Sequence, residues 1–354
     1  MPVIDADTHV DESEDTWKKL EGTPYEKYIP VTTTLPAEEA KRAGFNSANR
    51  RSWVVEGRLQ NRATRDEVNH PLRVYRELED VPGRLAHMDT MGVDVQVIFP
   101  TFFIRYNTMN AEAEWALTTT YNRWLAEKCA GTHGRLRWAA VLPFLQPEKA
   151  VEELRWAKEH GACGIFKRGF DLDREVTDRH FYPVYEEASA LDIPLCIHTG
   201  HPLPGREWDR GFPIMYSCGS LVSSGLPKKF PNLRFGLIES GASWIPYTIS
   251  QLGAQKRQAL RGKQNQFPRL TELEPELFRE NRFYVTIDPI DDVESILQFG
   301  TEDSLMIGTD YSHTDISANL SALDEVRGWA DAGRITHDQA RKILETNSQV
   351  FYGL

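Results

Sequence analysis

The sequence has few cysteines, and they are far apart. The 354 residues include only four, and no two of them form a C-x-x-C pair or another close spacing: Cys129, Cys163, Cys196 and Cys218. This pattern argues against a disulfide framework and against a thiolate zinc site. Cys196 lies inside an apolar run, so we expect it in the core.

Long apolar runs and basic clusters are also missing. No run approaches the roughly 18 apolar residues that a membrane helix needs, and Met1 and Pro2 lead into an apolar segment without the basic region of a signal peptide. The net charge is -11, and no cluster of Lys and Arg offers a face for nucleic acid or an anionic membrane. We therefore expect a cytoplasmic protein with neither kind of partner.

The chain does have a regular alternation of apolar, strand-like runs and segments with helical periodicity. Eight such runs are separated by helices, and they begin at Val3, Val93, Leu136, Cys163, Ile193, Leu233, Arg282 and Leu305. This count predicts an α/β fold, namely a (β/α)8 barrel of the TIM type. We expect one domain, 1–354, in which the polar residues of about 12–75 form an insertion after strand 1 that lines the barrel mouth.

Side chains that can bind a metal stand in four clusters, each where an apolar run ends. They are Asp7 and His9, His198 and His201, Glu239, and Asp310 and His313. The C-terminal ends of the strands meet at one face of a barrel, so these side chains are expected to converge there. Residues two apart on a strand point to the same side, which allows the first pair to face the barrel axis together.

Three of these seven candidates also have a simpler explanation. Asp7 could cap the following loop, His9 could be a hydrogen-bonded core histidine, and His201 could belong to a His-Pro turn. Glu239 and Asp310 are harder to explain in this way, because a carboxylate buried at the barrel mouth is costly unless a cation meets it.

Other side chains are candidates for positions around the metal. His313 could be a ligand or a residue that hydrogen-bonds to one. Arg168 is the best candidate for anchoring an anionic group of the substrate through its forked guanidinium. Trp244 is expected in the wall of an apolar or aromatic pocket. For Lys167 we expect a solvated lysine rather than a carbamylated bridge between two metals.

Four motifs together resemble those of the amidohydrolase-related family, the branch of the amidohydrolase superfamily that contains aminocarboxymuconate-semialdehyde decarboxylase and related aromatic-acid decarboxylases and hydrolases. The motifs are Ile4-Asp-Ala-Asp-Thr-His-Val10, Ile197-His-Thr-Gly-His201, Phe230-Pro-Asn-Leu-Arg-Phe-Gly-Leu-Ile-Glu239 and Ile307-Gly-Thr-Asp-Tyr-Ser-His313. The likeness covers essentially the whole chain. It implies the barrel fold and a dependence on divalent metal.

Two positions depart from the decarboxylases of that family. They carry H-x-H or E-x-H on strand one, where this chain has Asp7-x-His9, and a histidine at the end of strand six, where this chain has Glu239. The resulting ligand pattern is similar to that of the family's dinuclear oxygenases, which include a 2-aminoisobutyrate hydroxylase and a diterpenoid hydroxylase. This resemblance implies Fe and/or Mn, as one ion or as two ions bridged by Glu239, with Zn as the alternative.

Three functions remain open at this point. The preferred hypothesis is a non-heme di-metal oxygenase, with Fe or Fe/Mn, that uses O2 to hydroxylate a small substrate. The alternative is a metal-dependent hydrolase or decarboxylase acting on a small carboxylate or aromatic acid, with Asp310 as general base and Glu239 and His313 beside it. A third is a structural subunit of a hetero-oligomer. We also expect the chain to form a homo-oligomer, or a hetero-oligomer with a family member.

Overall fold

Eight parallel strands form one sheet in which each strand pairs with the next strand along the chain. The structure is a computed structural model, and it describes residues 1–42, 51–62, 70–200, 211–254, 257–258, 269–314 and 317–354. The strands are β1 (Ile4–Val10), β2 (Val95–Pro100), β3 (Leu136–Val141), β4 (Ala162–Arg168), β5 (Leu195–His198), β6 (Phe235–Ile238), β7 (Phe283–Ile287) and β8 (Leu305–Ile307). The predicted (β/α)8 barrel is confirmed.

Helices separate the strands and cover the outside of the barrel. The main ones are α1 (Val81–Thr90), α2 (Ala111–Cys129), α3 (Pro147–Glu159), α4 (Tyr182–Ala190), α5 (Phe212–Ser224), α6 (Ile245–Leu252), α7 (Val293–Leu297), α8 (Ala322–Asp331), α9 (His337–Arg341) and α10 (Asn347–Tyr352). Shorter turns of helix lie at Glu14–Trp17, Ala37–Arg42, Arg73–Arg76, Phe102–Arg105, Leu226–Lys229, Leu270–Leu273 and Leu277–Asn281. No helix within the described ranges is long and apolar enough to cross a membrane.

The barrel closes between β1 and the chain just after β8. Thr8 and Tyr311 form a parallel bridge, and the His9 backbone N–H donates to the carbonyl of Tyr311 at 2.8 Å. The Asp310 N–H donates to the carbonyl of Asp7 at 2.9 Å. The seam that completes the barrel therefore runs through three of the predicted metal ligands.

Two strands extend past the apolar runs that predict them, which are Val3 to about Ala6 and Cys163 to Phe166. β1 reaches Val10, so Asp7 and His9 lie within the strand and not after its end. The cause is its pairing with β2, which continues to Pro100 after a shift in register. β4 likewise continues to Arg168, because its last residue pairs with the end of β5.

The segment between β1 and α1 forms a small antiparallel sheet. Its strands are Val31–Thr34, Arg51–Val55 and Arg58–Asn61. The last two are a hairpin whose turn residues, Glu56 and Gly57, have φ values of 49° and 73°, as a type I′ turn requires. Trp53 from this hairpin packs edge-on against Phe102, which follows β2, with ring centroids 6.0 Å apart. The sheet thus lies on the C-terminal side of β2, and its role at the barrel mouth stays a prediction.

Gly308→Ala is expected to disturb the seam. A Cβ on Gly308 would lie 2.4 Å from the Cβ of Asp7 and 3.0 Å from its backbone N, so β1 has to move. We expect a loss of about 1–3 kcal/mol in the free energy of unfolding, as for other overpacked positions, together with a lower metal content after reconstitution. Denaturant titration and metal analysis measure the two effects.

The matched control is Gly219→Ala in α5, where an added Cβ meets no atom within 4 Å. Removing a helical glycine there is expected to stabilise by up to about 1 kcal/mol. If Gly308→Ala kept the stability and the metal content of the unsubstituted chain, the close approach of the two strands at this point would be refuted.

Candidate metal centre

Six of the seven predicted ligands converge at the C-terminal face of the barrel, and all six are buried. They form two overlapping groups of four whose ligand atoms lie within 4.8 Å of one another: Asp7, His9, His198 and Glu239, and His9, Glu239, Asp310 and His313. His201 lies outside the described residues, so its assignment stays a prediction.

The backbone at two of these ligands is left-handed. Glu239, directly after β6, has a φ of 58°, and Asp310, just after β8, has a φ of 50°. Residues other than glycine rarely adopt this backbone conformation, because it costs free energy. Backbone hydrogen bonds hold both residues there, from the Glu239 N–H to Thr286 Oγ1 at 2.8 Å and from the Asp310 N–H to the carbonyl of Asp7. The chain thus turns both carboxylates inward at the strand ends.

Backbone carbonyls fix the orientation of two imidazole rings. His9 Nδ1 lies 3.0 Å from the carbonyl of Pro100, and His198 Nδ1 lies 2.8 Å from the carbonyl of Thr199. A carbonyl only accepts, so each Nδ1 carries a proton and each Nε2 faces the cluster. The two Nε2 atoms are 3.2 Å apart. Two neutral rings would point lone pairs at each other, so a proton or a cation has to lie between them.

Three carboxylates surround these two nitrogens. His9 Nε2 is 3.4 Å from Asp7 Oδ1 and 3.4 Å from Asp310 Oδ1. His198 Nε2 is 3.2 Å from Glu239 Oε2 and 3.6 Å from Asp7 Oδ1. Burying several carboxylates together is strongly unfavourable without positive charge among them.

His313 belongs to the second group of ligands. Its Nδ1 lies 2.6 Å from Asp310 Oδ1 and 3.9 Å from Glu239 Oε1. Its other nitrogen, Nε2, is 3.0 Å from the Thr101 hydroxyl, and its ring stacks on that of His9 with centroids 3.8 Å apart. The ring therefore faces the carboxylates with Nδ1, while Thr101 holds its far side.

The structure also brings in residues that the sequence does not single out. The Ser317 hydroxyl lies 3.0 Å from Asp310 Oδ2 and 3.2 Å from Glu239 Oε1, so its one hydrogen can be donated to either carboxylate. The buried Arg84 donates to the carbonyl of His9 at 3.0 Å and to Gln96 at 2.9 Å. Neither Ser317 nor Arg84 belongs to one of the motifs, so the sequence alone does not indicate that they contact the ligand residues.

Charges within the cluster shift the protonation of its members. Burial disfavours the charged form of His198, but the nearby Glu239 and Asp7 carboxylates outweigh it and raise the pKa of His198 to about 9. Burial alone would raise the pKa of Asp7, yet the nearby His198 and His9 rings hold it below its usual value. Burial lowers the pKa of His9. Without metal, the cluster therefore holds a proton on His198 at neutral pH.

The donor set fits a divalent metal ion. It offers three carboxylates and three imidazoles and no sulfur, which is the chemistry that Mn²⁺ and Fe²⁺ accept and that Zn²⁺ also tolerates. The buried Asp7 Oδ1 accepts no hydrogen bond from the described residues, and its negative charge is available to a cation. Six ligands exceed what one tetrahedral zinc ion would use.

Arg168 and Trp244, the side chains predicted to bind substrate, are hydrogen-bonded to other groups of the protein. Arg168 donates to Asp171 Oδ1 at 2.8 Å and to the carbonyls of Phe103, at 2.8 Å, and Tyr106. The half-buried Trp244 donates its indole N–H to the carbonyl of Gly241 at 2.8 Å. These contacts leave both assignments as predictions.

Lys167 is not a solvated lysine, so that prediction was wrong. Its side chain is fully buried, forms an ion pair with Asp171 and lies over the rings of Phe144 and Phe181. Lys167 is in register with Ile197 on β5. Neighbouring residues of a strand point to opposite sides, and His198, the next residue of β5, points toward the ligand cluster. Ile197 and Lys167 therefore point away from the barrel interior.

Metal affinity is expected to depend on pH through His198. Below its metal-free pKa of about 9 the ring is protonated, and a metal ion has to displace that proton. Above this pKa the ring is already neutral. The apparent affinity should therefore rise about tenfold per pH unit from pH 6 toward pH 9 and then level off.

A chelator competition at several pH values measures this slope. His133→Gln, which removes an exposed histidine, serves as the control and should keep the slope. A pH-independent affinity across this window would show that no proton leaves the cluster on metal binding.

Solved structures share this fold. An amidohydrolase from Mycobacterium avium subsp. paratuberculosis K-10 has a TM-score of 0.74 at 19% identity, with 99% of each chain covered. A dihydroxybenzoic acid decarboxylase from Polaromonas sp. JS666, solved with bound manganese and the inhibitor 2-nitroresorcinol, has a TM-score of 0.63 at 21% identity, covering 100% of this chain and 97% of that one. At these identities the likeness establishes the fold.

Sequence comparison leads to the same family. A gamma-resorcylate decarboxylase from Polaromonas sp. (strain JS666 / ATCC BAA-500) is 26% identical over 303 residues, or 77% of this chain and 86% of the relative. A family model described as amidohydrolase matches residues 4–354. The resemblance drawn from the four motifs is confirmed: this chain belongs to the amidohydrolase family, as a metal-dependent enzyme of the branch that contains the aromatic-acid decarboxylases.

Proposed function

We propose that this chain is a metal-dependent decarboxylase that acts on a small aromatic carboxylic acid. The observation that carries the proposal is the Asp310–His313 pair, 2.6 Å apart, beside a buried divalent-metal ligand set in a chain whose curated relatives are named as decarboxylases of an aromatic acid. A relative of the same fold was solved with manganese, which supports Mn²⁺ as the first ion to test, ahead of Fe²⁺ and Zn²⁺.

The ligand cluster would hold the ion and orient the substrate. His9, His198 and the surrounding carboxylates are the residues that would bind it. A bound divalent ion supplies positive charge that neutralises a substrate carboxylate or phenolate and stabilises negative charge that develops on the ring. Burial strengthens such interactions because little water competes with them.

Decarboxylation also needs a proton at the ring carbon. The bond from that carbon to the carboxylate breaks, its electron pair stays on the carbon, CO2 leaves, and a proton takes its place. Asp310 Oδ1 and His313 Nδ1 lie 2.6 Å apart, and the Thr101 hydroxyl lies 3.0 Å from His313 Nε2, so these groups together would supply the proton and replace it. This pair is the candidate general acid–base group.

A second candidate function is the dinuclear oxygenase, and Glu239 favours it. Its two oxygens face different histidines, Oε2 toward His198 at 3.2 Å and Oε1 toward His313 at 3.9 Å. Glu239 and His9 are common to both ligand groups, an arrangement that suits a carboxylate bridging two ions. The relatives do not support the preference for an oxygenase, because those reported above are decarboxylases. The candidate therefore rests on this geometry.

Assays under argon and under air distinguish the two candidates. Protein reconstituted with Mn²⁺ or Fe²⁺ is incubated with 2,6-dihydroxybenzoate and other hydroxybenzoates, and CO2, arene and O2 are measured. We expect CO2 and the decarboxylated arene in equal amounts, without O2 consumption, and loss of the activity on chelation. O2 uptake with a hydroxylated product, and no CO2 under argon, would refute the proposal and support the oxygenase.

Asp310→Asn and Asp324→Asn form a matched pair for this assay. Asparagine at position 310 keeps the shape and one coordinating oxygen but cannot carry the proton, so CO2 release should fall by about 10²- to 10⁴-fold while most of the metal is retained. Asp324 pairs with Arg327 on the surface, and its substitution should change neither quantity.

Glu239→His tests whether a carboxylate bridge is needed. Histidine tolerates left-handed backbone better than most residues, so the barrel should stay folded, and an imidazole cannot bridge two ions as a carboxylate does. Under the proposed function we expect one ion per chain and measurable CO2 release. Two ions in the unsubstituted protein and one in the variant, together with loss of an O2-consuming activity and no CO2 release from either protein, would refute the decarboxylase proposal and support the dinuclear candidate.

A further inference from the structure

The loop that follows β2 carries the hydroxyl group that contacts His313. Thr101 comes directly after Pro100, the last residue of β2, and its Oγ1 lies 3.0 Å from His313 Nε2. With its other ring nitrogen, Nδ1, His313 faces Asp310 at 2.6 Å. The imidazole is therefore held between a carboxylate and a hydroxyl, and its orientation depends on where the loop places Thr101.

Glu12 binds the backbone of the same loop. The residue is buried and lies two positions after Val10, the end of β1. Its Oε1 accepts the backbone N–H of Thr101 at 3.1 Å, and its Oε2 accepts that of Phe102 at 2.8 Å. Both oxygens of one carboxyl group thus bind successive amides of the loop.

No cation in the described part of the chain pairs with Glu12, although its carboxyl group is buried. The adjacent Asp11, in contrast, pairs with Arg76 at 3.0 Å. Burial raises the pKa of Glu12 to about 8, while the N–H groups of the loop favour its charged form. A buried carboxyl group without a cation is costly. The two loop amides are the contacts that offset this cost.

Other contacts fix the loop from Phe102 onward. Gln60, in the hairpin, donates its side-chain N–H to the Phe102 carbonyl at 2.8 Å. The Phe102 ring packs edge-on against Trp17, with centroids 5.0 Å apart, and against Trp53. None of these contacts involves Thr101. Glu12 is the side chain that ties Thr101 to this fixed part of the loop.

We propose that Glu12 is a positioning residue for His313: by accepting the N–H groups of Thr101 and Phe102, it places the Thr101 hydroxyl at His313 Nε2. Its effect on the reaction rate rests on the proposed decarboxylation, whereas its effect on the His313 ring does not. Misplacing a reacting group by about 1 Å can cost about 100-fold in rate. Because Glu12 acts through Thr101, its influence should disappear once the Thr101 hydroxyl is removed.

A double-mutant cycle tests this route. Glu12→Gln keeps one acceptor oxygen, Glu12→Met removes both, and Thr101→Val removes the hydroxyl but keeps the branched shape. In Mn²⁺-reconstituted protein we expect kcat for CO2 release to fall about tenfold in Thr101→Val and in Glu12→Met, and less in Glu12→Gln, with KM and metal content kept. The double variant should be no slower than the slower single variant, because residues that act through one contact are not additive.

An NMR measurement tests the same contact without relying on activity. In Zn²⁺-loaded protein labelled with 15N-histidine, the His313 signals are those that are missing from His313→Gln. We expect Glu12→Met and Thr101→Val to shift the His313 Nε2 signal in the same direction, because both weaken the contact with the hydroxyl. Glu12→Gln should give a smaller shift, and it provides the comparison should Glu12→Met fail to fold.

Glu153→Gln is the matched control. It removes another buried carboxylate, one that binds Asn122 and Arg123, and it should lower stability while leaving kcat and the His313 signal unchanged. If the unsubstituted protein releases no CO2, the decarboxylase proposal fails, and the NMR comparison alone decides the role of Glu12. An unchanged His313 signal in the Glu12 variants, or rate losses that multiply in the double variant, would overturn the inference.

Discussion

The hydrogen bonds between β1 and the chain after β8 hold together both the barrel and the metal centre. Asp310 donates its N–H to Asp7, and His9 donates its N–H to Tyr311, so three ligand residues form the seam with their backbones while their side chains face the cluster. The buried Arg84 guanidinium adds a contact to the His9 carbonyl on the same strand. Closing the barrel therefore also brings the ligands into position, and the free energy of metal binding would stabilise the closed barrel.

The sequence predicts the barrel and the location of its site well, and the detailed geometry poorly. His198 and Glu239 were found because apolar strands end next to them, which is a local signal. The left-handed backbone of Glu239 depends on a hydrogen bond to Thr286, and the role of Ser317 depends on two distant carboxylates. No local pattern encodes such tertiary contacts. Lys167 was misjudged because its partner Asp171 folds back onto β4.

The ligand set constrains the metal more strongly than it constrains the reaction. Three carboxylates and three imidazoles can hold an ion for polar chemistry or for redox chemistry, and the difference lies in the substrate and in the number of ions. The relatives point to decarboxylation, while Glu239 in place of the family's histidine points to a bridge. Glu239 is therefore the side chain on which the two candidate functions differ most, and the barrel fold itself is compatible with either reaction.

The seam has a consequence for the order of events during synthesis. Asp5 and Thr309 on its two sides are hydrogen-bonded across 304 positions of the chain, and the ligands Asp7 and Asp310 are their near neighbours. A ribosome adds about 5–20 residues per second, so the first ligand waits on the order of 15–60 seconds for the last. During that time β1 exposes two metal-binding side chains on an unclosed sheet. The full ligand set therefore exists only after Asp310 and His313 have been made, late in the synthesis of the chain.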